Sequence, residues 1–208
     1  MPIIDLSFVL VGTTFPLDHG YCLFSAICRV VPGMHGDRSI GVHPIRGRQT
    51  APGVLTLDDR SRLKLRLPSE EIAPYIALAG QAIELEDHRL QVGIPRVEAL
   101  IPAASLASRL VTFRHALAPS DLEEDVRREL GRLEVSGTPH FVHSSRPPFT
   151  GQPIRRVLRI REKRVVGYAL GVTGLTADES IRLQEEGLGG RRRMGCGVFV
   201  PVRGLPSR

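Results

Sequence analysis

The chain has 208 residues, 42% of them hydrophobic, which is enough for one large or two small domains with buried cores. Its net charge of +6 is uneven: residues 143–208 carry 13 basic and 5 acidic side chains, a net +8, while residues 1–142 carry 15 and 17, a net −2. No stretch approaches 18 apolar residues, which excludes a transmembrane helix, and three cysteines (Cys22, Cys28, Cys196) make neither an even disulfide framework nor a C-x-x-C pair, so a reduced, cytoplasmic protein is expected.

Residues 3–12, IIDLSFVLVG, read as a first strand; Asp5 and the lack of a basic flank argue against a signal peptide. Asp18 is placed to cap a helix with Leu23, Phe24, Ile27 and Val31 on one face, ended by Pro32-Gly33. SIGVHPI (39–45) predicts a short strand, and residues 54–67 a strand or hairpin ending in the alternating RLKLRL. Ser69 caps a short helix weakened by Pro74, and residues 82–93 close the half as a hairpin or bent strand. The second half repeats this order. RLVTF (109–113) is a strand, and a Ser120/Glu123 capping box opens a helix with Leu122, Val126, Leu130 and Leu133 inside. Residues 137–153 read as a long polar, Pro-rich loop, and 154–172 as a strand pair turning near Glu162-Lys163. A Thr176/Glu179 capping box opens the last helix, and VFVPV is the last strand. Two β-α-β-β-α-β units predict an α+β fold of tandem ferredoxin-like domains, residues 1–100 and 101–208.

Between the last helix and last strand lies GLGGRRRMGCG (187–197). It is no dinucleotide fingerprint, because Arg192 stands where the third glycine is needed and the loop runs from helix to strand; no P-loop occurs either. Gly189, Gly190 and Gly195 would let backbone N–H groups approach an anion, and Arg191, Arg192 and Arg193 supply charge. Arg155, Arg159 and Arg161 share one strand face, and Arg127 and Arg128 lie on an outer helix face; together they predict a basic surface for a polyanion. The alternative is a set of solvated arginines. Exposed aromatics in runs of the kind that stack bases are absent from the predicted strands.

His19, in DHGY, falls in the first turn of the first helix, where unpaired N–H groups could dock a phosphate and an imidazole could pass a proton to or from it. Tyr21 could donate a hydrogen bond there, and His43 is the second candidate. The plain alternative makes His19 a helix-start residue and Tyr21 core. His35 and His88 read as solvated turn residues, and His140 and His143 lie in the long loop. No pair of histidines has metal-ligand spacing, so no metal or other cofactor is expected.

The ending GLTADESIRLQEEGLGGRRRMGCGVFVPV resembles the glycine-rich signature of the CRISPR-associated RAMP superfamily, and LDHGYCLFSAICRVVPGMHGDRSIGVHPIRG resembles its repeat-processing endoribonucleases, the sixth Cas family, in the Myxan-type branch. The resemblance spans essentially the whole chain. It implies tandem ferredoxin-like folds and cleavage of CRISPR precursor RNA within repeats, without a metal, to a 2′,3′-cyclic phosphate and a 5′-hydroxyl. It also implies a catalytic histidine in or next to the first helix, which His19 and Tyr21 match; Arg29, His43, Ser144 and Ser145 are candidates for a second catalytic group. Partners implied are precursor and product CRISPR RNA and other Cas proteins of an effector complex, with no membrane. The competing readings are a non-catalytic RAMP subunit that only binds RNA, and an RNA-binding module unrelated to CRISPR.

Overall fold

A computed structural model describes residues 1–114 and 118–202. The chain forms two compact units. The first is Met1–Ala99 with Leu158–Glu162 and Arg193–Gly195; the second is Leu100–Val157, Lys163–Arg192 and Cys196–Arg208.

The first unit opens with β1 (Ile3–Val11), β2 (Thr14–Pro16) and α1 (Gly20–Val30), followed by a 3-10 turn at Pro32–His35. Next come β3 (Gly41–Val42), β4 (Arg48–Ala51), β5 (Val54–Thr56), β6 (Arg62–Pro68), the short α2 (Ile72–Tyr75), β7 (Ala82–Leu85) and β8 (His88–Ala99). β1 is central in an antiparallel sheet ordered β3-β6-β1-β8-β7. Alternation in β1 turns Leu6, Phe8 and Leu10 inward, and the register sets Leu6 against Leu65 and Phe8 against Leu63. The helical period of α1 buries Leu23, Phe24 and Ile27 in the same core. Asp18 is not the cap of α1: the cap position is His19 without a side-chain bond, and the Asp18 carboxylate instead accepts the Arg159 backbone N–H at 2.9 Å. β2, β5 and β4 form a separate three-stranded sheet.

The second unit runs β9 (Ser105–Val111), α3 (Pro119–Arg132), β10 (Thr138–Phe141), β11 (Arg155–Ile160), β12 (Lys163–Thr173), α4 (Ala177–Glu186) and β13 (Val200–Pro201). The sheet order β10-β12-β9-β13 repeats the β3-β6-β1-β8 order of the first unit, so the tandem ferredoxin-like expectation holds. β10 is a correction, because it lies inside the stretch read as loop. The predicted Ser120/Glu123 box is another: α3 begins at Pro119, and the Asp121 carboxylate accepts the Ala118 N–H at 3.2 Å. The Thr176/Glu179 box forms in both directions, at 3.3 and 2.8 Å. With the Ser136 N–H as a further donor, these backbone bonds hold the Glu179 carboxyl down near 2.

Candidate active site and basic surface

The two histidines favoured by the sequence are both interior. His19 is 1% exposed. Its Nδ1 lies 2.8 Å from the Pro16 carbonyl and its Nε2 3.0 Å from the Ile45 backbone nitrogen. A carbonyl can only accept and an N–H can only donate, so the ring is neutral with its proton on Nδ1. Both nitrogens are thereby occupied, and the edge of Phe15 closes on the ring at 5.2 Å. In this arrangement the ring ties the entry of α1 to residue 45.

His43 is 7% exposed, and its Nε2 lies 3.1 Å from an oxygen of Asp5. The fully buried Arg66 meets the same carboxylate, through Nε at 2.8 Å and Nη2 at 3.1 Å. Burial alone would raise the Asp5 carboxyl; the His43 bond and the Arg66 guanidinium reverse that and hold it far below the usual carboxylate range. Burial lowers His43, and the Asp5 charge only partly restores it, so the ring is neutral and donates to Asp5. His43 is an interior partner of the Asp5–Arg66 ion pair.

The exposed imidazole of this unit is His35, which ends the 3-10 turn. Met34 anchors the turn in the core. His35 then projects outward and stacks on Phe24, with ring centroids 5.9 Å apart and planes at 30°. Among the described residues neither ring nitrogen of His35 has a hydrogen-bond partner. Arg193 clamps the turn from the other side: its Nη1 donates to the Met34 carbonyl at 3.0 Å and to the His35 carbonyl, and its guanidinium lies 5.4 Å from the Phe24 ring centre. Downstream, Asp37 accepts the Ser39 N–H at 2.8 Å and hydroxyl at 2.6 Å, fixing the exit from the turn. The Asp37 and Glu71 carboxylates add to burial in pushing the Tyr75 phenol up to about 12. The arrangement is an exposed imidazole on a braced turn, able to donate or accept a proton in solvent. Sequence reading missed it because its braces lie far along the chain; the one local signal was an outward histidine following a core methionine in PGMHGD.

Arg193 stands there because the chain from Arg193 to Gly195 belongs to the first unit. Gly20 permits this approach, since a Cβ on it would collide with the Met194 carbonyl. Gly195 lies against Pro44. In the second unit Arg192 donates to the Glu185 carbonyl at 2.5 Å, satisfying the end of α4. Thus two of the three arginines expected to meet a polyanion also brace the protein. Arg191 is exposed, at φ +65°, a left-handed conformation that favours glycine. Gly190 donates its N–H to the Thr112 carbonyl at 3.0 Å, and Gly189 packs against the same carbonyl.

Arg155 and Arg159 are exposed, on the same face of β11. Arg161 is a correction: β11 ends at Ile160, and Arg161 occupies the turn at φ +53°, where its Nε donates to the half-buried Tyr21 hydroxyl at 3.0 Å. Arg127 pairs with Glu123 at 3.3 Å and Arg128 with Asp125, so both arginines are paired on a helix that is net acidic. Arg29 is exposed and donates to the Glu84 carbonyl at 3.1 Å, and Ser144 and Ser145 lie in the segment after β10. Among the described residues no three His, Cys, Asp or Glu side chains gather as metal ligands, and no helix is long and apolar enough to cross a membrane.

The family described as Cas6 Crispr matches residues 4–204 of this chain. The CRISPR-associated endonuclease Cas6 of Myxococcus xanthus (strain DK1622) is 40% identical over 201 residues, covering 97% of this chain and 82% of that protein. Solved structures share the fold at low identity. One, from the characterization of a Cas6-related gene from Pyrococcus furiosus, has a TM-score of 0.69 at 12% identity, covering 98% of this chain and 100% of that one. Another, a CRISPR associated protein Cas6, has a TM-score of 0.64 at 15% identity, covering 97% and 100%.

Proposed function

Because this chain belongs to the Cas6 family, we propose that it is an endoribonuclease that cuts CRISPR precursor RNA within each repeat, with His35 as its proton-transfer residue. The nucleophile is the RNA's own 2′-hydroxyl. Its oxygen bonds to the adjacent phosphorus as the bond to the 5′ oxygen breaks, leaving a 2′,3′-cyclic phosphate and a 5′-hydroxyl. One proton leaves the 2′ oxygen and one arrives at the 5′ oxygen, so the balance requires neither water nor a metal ion. His35 supplies a proton acceptor or donor that solvent and RNA can reach, worth typically about 10²–10⁴-fold in rate. Arg191, Arg155 and Arg159 are exposed cations suited to backbone phosphates. Tyr21, with Arg161, offers a further polar contact at the start of α1.

The observation that carries this reading is the exposed, stacked and clamped imidazole of His35. Single-turnover cleavage of the repeat RNA from the protein's own CRISPR array, in excess EDTA, tests it. The wild type is expected to cut, and a 2′-deoxy substitution at the scissile nucleotide to stop it. His35→Ala should slow cleavage at least about 10²-fold with RNA affinity retained. A titratable requirement for a divalent ion, or wild-type cleavage by His35→Ala, overturns the mechanism. A protein that only binds RNA would hold the repeat and leave it intact.

A further inference from the structure

Between β10 and β11 the chain leaves the sheet edge of the second unit and returns to it. β10 lies on β12 from Thr138 opposite Thr173 to Phe141 opposite Leu170. The Val142 N–H then donates to the Ala169 carbonyl, and the Ala169 N–H donates to the Ile154 carbonyl, each at 3.0 Å. Residues 142 and 154 therefore meet at one residue of β12, and β11 carries the pairing onward. β10 and β11 are successive stretches of one edge, and residues 143–153 are an excursion that the sheet does not require.

The excursion is built rather than slack. Its stem is a short ladder: the Ser144 N–H donates to the Gln152 carbonyl at 2.9 Å, and the Gly151 N–H to the Ser144 carbonyl at 2.8 Å. Its tip is two successive turns, with the Phe149 N–H donating to the Arg146 carbonyl and the Gln152 N–H to the Phe149 carbonyl, both at 3.0 Å. The Ser144 hydroxyl accepts the Arg146 N–H at 3.1 Å, and Pro147 and Pro148 fix φ between them. This scaffold holds Phe149 in solvent, 61% exposed, the one exposed phenylalanine or tyrosine among the described residues.

The surroundings of Phe149 in sequence are wholly cationic. Residues 143–157 contain Arg146, Arg155 and Arg156 and no acidic residue. Arg146 and Arg155 are exposed and enter no ion pair among the described residues. A partner matched to this excursion must combine negative charge with a flat apolar face. RNA with an unpaired base does so: each base has a π-face for an aromatic ring, and the adjoining phosphates meet the cations.

We propose that the 143–153 excursion is a base-stacking platform, on which Phe149 takes the face of one unpaired nucleobase while Arg146 and Arg155 hold the flanking phosphates. The proposal rests on the RNA substrate inferred above. Because the free protein already orders the tip, little entropy is lost when the base docks.

The test uses the full chain and the repeat RNA made uncleavable by a 2′-deoxy scissile nucleotide, with 2-aminopurine placed in turn at each unpaired position. Binding to the wild type should quench fluorescence at one position. Phe149→Ala should abolish that quench and raise Kd roughly 5- to 150-fold, the span that alanine substitution gives for one stacked base. Phe149→Tyr should keep both the quench and the affinity, and Phe149→Leu should behave as Phe149→Ala. Full affinity in Phe149→Leu would mean an apolar contact without stacking and overturns the platform. Quenching at no position, or wild-type affinity in Phe149→Ala, also overturns it. If the wild type binds no repeat RNA at all, the underlying function fails instead, which the same titration reports separately.

Discussion

Truncating His19 to Ala would strand the Pro16 carbonyl and the Ile45 N–H in the core of the first unit. Two buried groups without partners cost about 2–4 kcal/mol, so a urea melt of His19→Ala should shift markedly while its folded fraction still cleaves RNA. His35→Ala should do the reverse, melting within about 0.5 kcal/mol of wild type; equal melts for the two variants would refute the division of labour. His43 makes a pH prediction. Its folded value lies below the ordinary one, so the unfolded chain binds the extra proton. Its contribution is complete above about pH 6.5 and is lost as pH falls from there, by up to about 1.4 kcal/mol per pH unit. Asp5, also depressed, loses its contribution only below about pH 4, the ordinary carboxylate range. His43→Gln keeps a donor for Asp5 and cannot titrate, so its stability between pH 7 and 5 should be flatter; an unchanged slope would assign the effect elsewhere. The sequence made His19 conspicuous because helix starts attract anions and histidines near them look poised. What separates the two rings is burial and the Arg193 clamp on His35, bonds across 158 and 159 positions that no local pattern displays.

Among the elements, the glycine-rich segment carries two duties that pull differently on one position. Arg191 sits at φ +65°, where a glycine would relieve strain. Arg191→Gly should therefore leave stability equal or raise it by up to about 1 kcal/mol. The same change should weaken RNA binding and lower the salt slope by roughly 0.7–0.9, the loss of one phosphate contact. Thermal melts together with affinities at several salt concentrations check both limbs; a destabilised variant with intact binding would make Arg191 structural, like Arg192. Element identity was legible where its cause was local. The Thr176/Glu179 box is one turn of chain and could be read directly. β10 was not legible, being four residues with Pro139 inside a polar stretch, and its partners lie near Thr173. Phe149 was overlooked for the same reason: a single aromatic in a proline-rich run shows no period, and only the closure of residues 142 and 154 on Ala169 reveals that the run is held outward.

For the molecule as a whole, the repeated β-α-β-β-α-β order could be read from apolar periodicity, because each strand and helix announces its buried face. That residues 158–162 and 193–195 belong with the first unit could not, since membership depends on contacts rather than pattern. This gives a prediction about cutting the chain. A fragment of residues 1–100 lacks Arg193, so the turn bearing His35 loses its clamp; alone it should melt below the full protein and fail to cleave, and added fragment 101–208 should restore part of the activity. A fully active 1–100 fragment would show that the clamp is dispensable. The same feature bears on how the protein is made. His35 leaves the ribosome well before Arg193 is added, 158 positions further on, roughly 8–32 s later at about 5–20 residues per second. A nascent chain, or one terminated before Arg193, therefore carries its imidazole on an unbraced turn, and only synthesis past that arginine can complete the brace.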